Sequence, residues 1–204
     1  MQFEYFTMLF NILFPFVIFF FSILCGTFSV NYMLNNDINF ECLKIGEWTT
    51  YLHVGTTKAN PYTRARTAKH GDISLGHPEN LIFQLWTDNQ GRPLRPDCHY
   101  LLKGHIPETR LFTLYAADKF LKPYTSRNNI PFALHTYNVI YENDGSLRIN
   151  ISPAPQTGNW LASTSQKQFG LILTLYDTSI ISTTALRKPM MPSIERIPSG
   201  EKCA

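Results

Sequence analysis

The chain has 204 residues, 18 Lys and Arg against 15 Asp and Glu, and a formal net charge of +3. The cations run from Lys44 to Lys202 without a run or a helical stripe, which argues against a nucleic-acid partner, since that chemistry gathers positive charge on one face. No cofactor or metal is expected either: the sequence has no Gly-x-Gly-x-x-Gly, no P-loop, no Gly-x-Ser-x-Gly elbow and no CxxC spacing.

Between Glu4 and Asp37 no side chain is charged, and nine of the fifteen Phe fall in the first thirty residues. A helix needs about 20 apolar residues to cross the hydrocarbon core, and residues 8–34 supply them. Tyr5 and Tyr32 flank the run where amphipathic rings favour the headgroup region. A buried soluble helix would not concentrate phenylalanine this way. A cleaved signal peptide is the stronger rival, but its start should be basic and its apolar run about 7–15 residues long. Here the start carries the acidic Glu4, and neither Cys25-Gly-Thr27 nor Thr27-Phe-Ser29 is a good cleavage site. Residues 1–36 therefore read as an uncleaved single-pass anchor whose partner, through residues 8–34, is the lipid bilayer. Flanking charge barely orients it, because no Lys or Arg precedes Lys44.

Residues 37–58 read as a polar juxtamembrane connector, and 59–204 as one domain. Asn60 suits a helix N-cap, Pro61 the first helical position and Gly71 a left-handed stop, which predicts one short early helix. Strand grammar follows in 81–87, 98–104, 111–115 and 169–176. Asn143-Asp-Gly145 predicts a hairpin between 137–142 and 146–152, where Leu147, Ile149 and Ile151 alternate with Arg148 and Asn150. Pro189, Pro192 and Pro198 predict an extended C-terminal tail. The fold class expected is mainly β, an antiparallel sandwich or jelly-roll-like domain behind a transmembrane helix. Cys98 and Cys203, with no metal-ligand spacing, read as a disulfide pair rather than a metal site, with two unrelated thiols as the other reading. A disulfide favours an oxidising compartment and so an outward-facing domain.

Several segments together carry a family resemblance: Ala59-Asn-Pro-Tyr-Thr-Arg-Ala65, Asp88-Asn-Gln-Gly-Arg-Pro-Leu94, Cys98-His-Tyr100, Phe112-Thr-Leu-Tyr115, Asp144-Gly-Ser146, Gly158-Asn-Trp-Leu161, Leu173-Thr-Leu-Tyr-Asp-Thr178 and Pro192-Ser-Ile-Glu-Arg196. In this order, from about Gly46 onward, the chain resembles the bacterial domain-of-unknown-function 1214 family, and within it the short membrane-anchored α-proteobacterial members. The resemblance implies a β-sandwich, a cell-envelope location, no established activity and added support for a Cys98–Cys203 bridge. The chain departs from the family pattern at Ala162, where Pro is usual, and at Thr174, where Arg is common.

No catalytic residue is assigned. His77-Pro-Glu79 with Pro96-Asp-Cys98-His99 is distantly similar to a zinc deaminase signature, but Leu101 stands where the second cysteine is required. The residues that would face a ligand are Tyr62, Arg64, Glu79, Tyr100, Tyr115, Asn159, Trp160 and Tyr176, since rings beside a few aimed polar groups make small-molecule and glycan pockets. The bland alternative has the aromatics packing the sandwich and Arg64 pairing with Glu79. The leading expectation is an inner-membrane protein with a periplasmic binding or interaction module for an unknown envelope ligand or protein. The alternative is a membrane-anchored enzyme acting on an envelope carbohydrate or lipid.

Overall fold

The structure is a computed structural model that describes residues 2–35, 42–51, 53–71, 80–118, 121–124, 133–163, 169–178, 180, 189–198 and 203. The first helix, α1, spans Gln2–Asn35 with Pro15 inside it. Its segment Ile12–Leu34 has 23 residues, none of them buried in the protein. At 1.5 Å per residue that is about 35 Å, enough for a hydrocarbon core of about 30 Å. Such a helix fits a membrane anchor or a signal sequence. It is no core element of the domain.

The second helix, α2, spans Pro61–His70 and ends as its sequence predicts. The Asn60 side chain accepts from the Thr63 N–H at 2.7 Å, and Gly71 closes the helix at φ 70°, with its N–H directed to the Ala68 and Thr67 carbonyls.

Among the described residues, ten strands build two sheets: β1 (Cys42–Ile45), β2 (Trp48–Tyr51), β3 (Asn80–Leu85), β4 (His99–Gly104), β5 (Thr109–Ala117), β6 (Ala133–His135), β7 (Leu147–Ser152), β8 (Asn159–Ala162), β9 (Gly170–Thr178) and β10 (Ser193–Ile197). The larger sheet has the order β1-β2-β3-β9-β5-β6, the smaller β10-β4-β7-β8. One buried cluster joins them. Trp48, Phe83 and Leu173 come from the larger sheet, and Tyr100, Ile149 and Ile194 from the smaller. Direct contacts tie the layers: the Tyr100 and Phe169 rings meet edge-on at 6.3 Å, and Trp48 Nε1 donates to the Pro192 carbonyl at 2.7 Å.

The mainly β architecture matches the sequence reading, with three differences. First, β1 and β2 fall inside 37–58, the segment expected to be a connector, and bury Ile45 and Trp48. Second, the pairing is not wholly antiparallel, because β7 and β8 run parallel. Pro153, Pro155 and the left-handed Gly158 (φ 76°) loop the chain back instead of turning a hairpin. Asn150 Nδ2 fixes that loop by donating to the Thr157 carbonyl at 3.1 Å. Third, the turn at Asn143-Asp-Gly145 forms, with the Gly145 N–H on the Glu142 carbonyl at 2.9 Å, but its first arm is only the isolated Tyr141–Leu147 bridge. The Asn159 side chain accepts from Ile140 N–H and donates to Ile140 C=O, each at 2.7 Å, and so takes a strand partner's place. β7 pairs with β4 and β8 instead.

Candidate functional site

The predicted ligand-facing residues do not converge. Tyr100 points into the core with no exposed surface. Its hydroxyl accepts from the Arg95 N–H at 2.8 Å, and Arg196 stacks over its ring at 5.5 Å. Asn159 is buried and its amide is consumed by Ile140 and by the Arg148 carbonyl at 3.1 Å. Trp160 donates to the Ser152 carbonyl at 3.1 Å, beside the 153–158 loop. These three serve the fold. Glu79 lies outside the described residues, and with it the expected pairing to Arg64.

Tyr62 and Arg64 sit on the exposed side of α2. The Arg64 guanidinium donates to the Thr57 carbonyl, next to the helix entry. On the other side of α2, half-buried Arg66 stacks on the Tyr51 ring at 5.8 Å and donates to its hydroxyl at 3.3 Å. That contact lays α2 against the larger sheet on the face turned from the core, because Trp48 and Thr50 point inward and Tyr51 alternates with them.

Tyr115 and Tyr176 do share a surface. In β5 the buried Phe112, Leu114 and Ala116 alternate with half-buried Leu111, Thr113 and Tyr115. In β9 the core takes Leu171, Leu173 and Leu175, so Ile172, Thr174 and Tyr176 face outward with Tyr115. The register sets Tyr115 opposite Ile172 and Leu111 opposite Tyr176 on adjacent strands. Across β3 the same face adds Gln84 beside Ile172 and Ile82 beside Thr174. The outward face of the larger sheet therefore sets half-buried Tyr115, Tyr176, Leu111 and Ile82 around the buried Ile172 and Thr174.

A second feature was not singled out by sequence. Asp88, the first residue of the family-like segment that ends at Leu94, has a fully buried side chain. Its Oδ1 accepts from the Gln90 N–H at 3.0 Å and the Arg92 N–H at 2.9 Å. Its Oδ2 pairs with Arg92 Nε at 2.9 Å and Arg196 Nε at 3.2 Å. Burial pushes the carboxyl up, but the Arg92 and Gln90 hydrogen bonds and the Arg92 charge outweigh it and hold Asp88 below the ordinary carboxylate value. The segments that begin at Asp88 and end at Arg196 are both visible in the sequence. Their meeting is not, because about a hundred residues separate them.

Cys98 and Cys203 form a disulfide across a sequence separation of 105. Asp97 approaches the same sulfurs, and the three groups have metal-ligating atoms within 4.8 Å of one another. With the two sulfurs bonded to each other, neither is a thiolate ligand. Elsewhere, a shallow depression of about 330 Å³ lies at the 142–148 turn, lined by Lys103, Glu142, Asp144 and Arg148 among others. Asp144 is held low by hydrogen bonds from Ser146, so its carboxylate is committed to the turn. His99 and His105, six apart at β4, bond to different groups: His99 to Asn150 Oδ1 at 3.4 Å and His105 to the Asp144 carbonyl at 3.2 Å.

A family model described as "Protein of unknown function (DUF1214)" matches residues 79–180, which contain β3 to β9. The match is narrower than the span from Gly46 that the motifs outline. Among solved structures, the VPA0106 protein from Vibrio parahaemolyticus is 16% identical, with a TM-score of 0.58 over 85% of this chain. An uncharacterized protein from Burkholderia cenocepacia is 15% identical, with a TM-score of 0.44 over 82% of this chain. The chain spans 43% and 39% of their lengths, less than half of either. At such identity the first likeness shows the fold alone. No curated protein matches the chain.

Proposed function

The chain belongs to the DUF1214 family, a placement that assigns no chemistry, and from its fold we propose that it is a membrane-anchored cell-envelope protein whose β-domain is a binding or interaction module. In this reading α1 crosses the bacterial inner membrane once and the domain stands in the periplasm. The Cys98–Cys203 disulfide supports that side of the membrane, since such bonds persist in oxidising compartments. The observation that carries the binding role is the outward face of the larger sheet, where Tyr115 and Tyr176 are presented with Leu111 and Ile82 on three adjacent strands. Tyrosine supplies flat apolar area and a polar tip at low conformational cost, which suits both glycans and protein surfaces.

The test is thermal-shift screening of envelope glycans and lipids against the full chain in detergent, with Tyr115→Ala, Tyr176→Ala and, on the other sheet, Arg148→Ala. A ligand that raises Tm in the parent and in Arg148→Ala, but not in the tyrosine variants, supports the module and its face. A shift that survives both tyrosine variants removes this face from the reading. No shift across the panel directs the role toward a protein partner.

A further inference from the structure

The positive charge of this chain is not evenly spread once its neighbourhood is considered. From Trp48 to Gly71 there are four cations, Lys58, Arg64, Arg66 and Lys69, and no Asp or Glu, while the other 14 Lys and Arg face all 15 Asp and Glu. The whole excess charge therefore lies in the segment that ends in α2. Within α2 the half-buried side is Thr63, Arg66 and Thr67, the side that meets Tyr51. The exposed side carries Tyr62, Arg64, Ala65, Ala68 and Lys69.

The helix that carries these side chains is close to α1. The two helices lie against each other. Along α1, residues 12–32 are exposed and Met33 and Leu34 are half-buried, which puts the contact at the end by which the helix leaves the bilayer. The short chain from Asn35 to Cys42 sets a limit of its own, since these seven steps reach at most about 25 Å and hold the β1 edge near the same end. A basic helix with a tyrosine at its start, next to the exit of an apolar span, matches what a bilayer surface offers: phosphate charge and an interface that favours amphipathic rings.

We propose that α2 is an interfacial helix that seats Tyr62, Arg64 and Lys69 on anionic phospholipid headgroups of the bilayer that α1 crosses. This rests on the anchor reading of α1. Its consequence is a fixed tilt of the domain: with one side of α2 on headgroups and the other on Tyr51, the larger sheet is held at a set orientation above the membrane. Each cation near an anionic surface strengthens the contact about fivefold, so Arg64 and Lys69 together give about a thirtyfold preference for anionic over zwitterionic lipid.

The experiment uses the full chain reconstituted in nanodiscs of phosphatidylcholine alone or with about one third phosphatidylglycerol, and follows amide exchange across 61–71. Exchange there should slow about tenfold or more in the anionic discs, lose most of that protection in about 500 mM salt, and show little of it in Arg64→Gln/Lys69→Gln. Equal exchange in both lipids overturns the proposal. So does equal protection by free inorganic phosphate in phosphatidylcholine discs, which would make α2 an anion site unrelated to the bilayer. Protection of 12–34 and resistance to alkaline extraction are read in the same samples. If those fail, the anchor reading falls; if they hold while α2 is indifferent to lipid charge, only the interfacial helix falls.

Discussion

In the larger sheet the central strand β9 is buried on both sides: every residue from Gly170 to Leu175 is buried, those facing the core and those facing away from it alike. In the smaller sheet β7 buries Leu147, Ile149 and Ile151, while Arg148 is exposed and Asn150 half-buried. The outward rows differ accordingly. Gln84, Ile172 and Tyr115 lie side by side on the larger sheet. On the smaller, Ser193, Lys103 and Arg148 form one row and Glu195, Leu101 and Asn150 the next. One sheet meets water across a charged row, the other across a dense apolar and tyrosine row with α2 laid at its β2 side. A strand alternates in sequence only when one of its faces is wet.

The largest effect is expected where the two sheets are clamped together. Asp88 follows β3 of the larger sheet and Arg196 lies in β10 of the smaller, and the carboxylate between Arg92 and Arg196 is shut away from water. Replacing it by Asn keeps its shape but leaves the buried Arg196 without its counter-charge, while Arg92 stays in contact with water, which should cost about 3 kcal/mol at neutral pH. The folded carboxyl has a lowered pKa. Its contribution is therefore complete above the unfolded value of about 4 and disappears as pH falls through the folded one. Denaturant titrations of the parent and Asp88→Asn should converge as pH falls below about 4; a gap that stays constant to acid pH would show that the charge is not what clamps the sheets.

That clamp also marks how far the sequence could be read. Local rules were legible: the Asn60 cap, the Gly71 stop, the Asn143-Asp-Gly145 turn and the alternation of β7 each depend on residues a few positions apart. The first hairpin arm differs from expectation because 137–142 has the residues of a strand, yet the Asn159 amide, 19 positions away, satisfies the Ile140 backbone instead. The surroundings of Tyr100 and Asn159 depend on distant residues in the same way. A tyrosine or asparagine looks alike in sequence whether its polar atom is offered to a ligand or engaged by the Arg95 N–H or the Ile140 peptide. Tyr115 and Tyr176 came together because register, a long-range property, places β5 beside β9.

A smaller effect tests how dry the outward face of the larger sheet is. The Trp86 ring lies over Gly170, so that a Cβ built there would come within 2.5 Å of the indole. Gly170→Ala should destabilise by about 1–3 kcal/mol, because the ring must lift from a packed surface. A neutral or stabilising result would mean that Trp86 moves freely, and that this end of the face is looser than its burial indicates. Trp86→Leu combined with Gly170→Ala should recover most of the loss if the clash is its cause.

The smallest differences put the two outward faces in direct opposition. Ile172 and Arg148 both point away from the core on inner strands of their sheets. Ile172 has no exposed surface, whereas Arg148 is exposed. Removing one methyl group with Ile172→Val should cost about 1 kcal/mol, as in a true core. Truncating the much larger Arg148 to Ala should change stability by less than about 0.5 kcal/mol. Area alone would rank these changes the other way, since arginine loses more atoms. What decides the order is whether water was already in contact with the group, and chemical denaturation of the two variants reads that directly. Equal costs would mean that the larger sheet's outward face is wetted in solution. The tyrosine platform would then be an ordinary solvent face, and the case for a ligand there would rest on the thermal-shift panel alone.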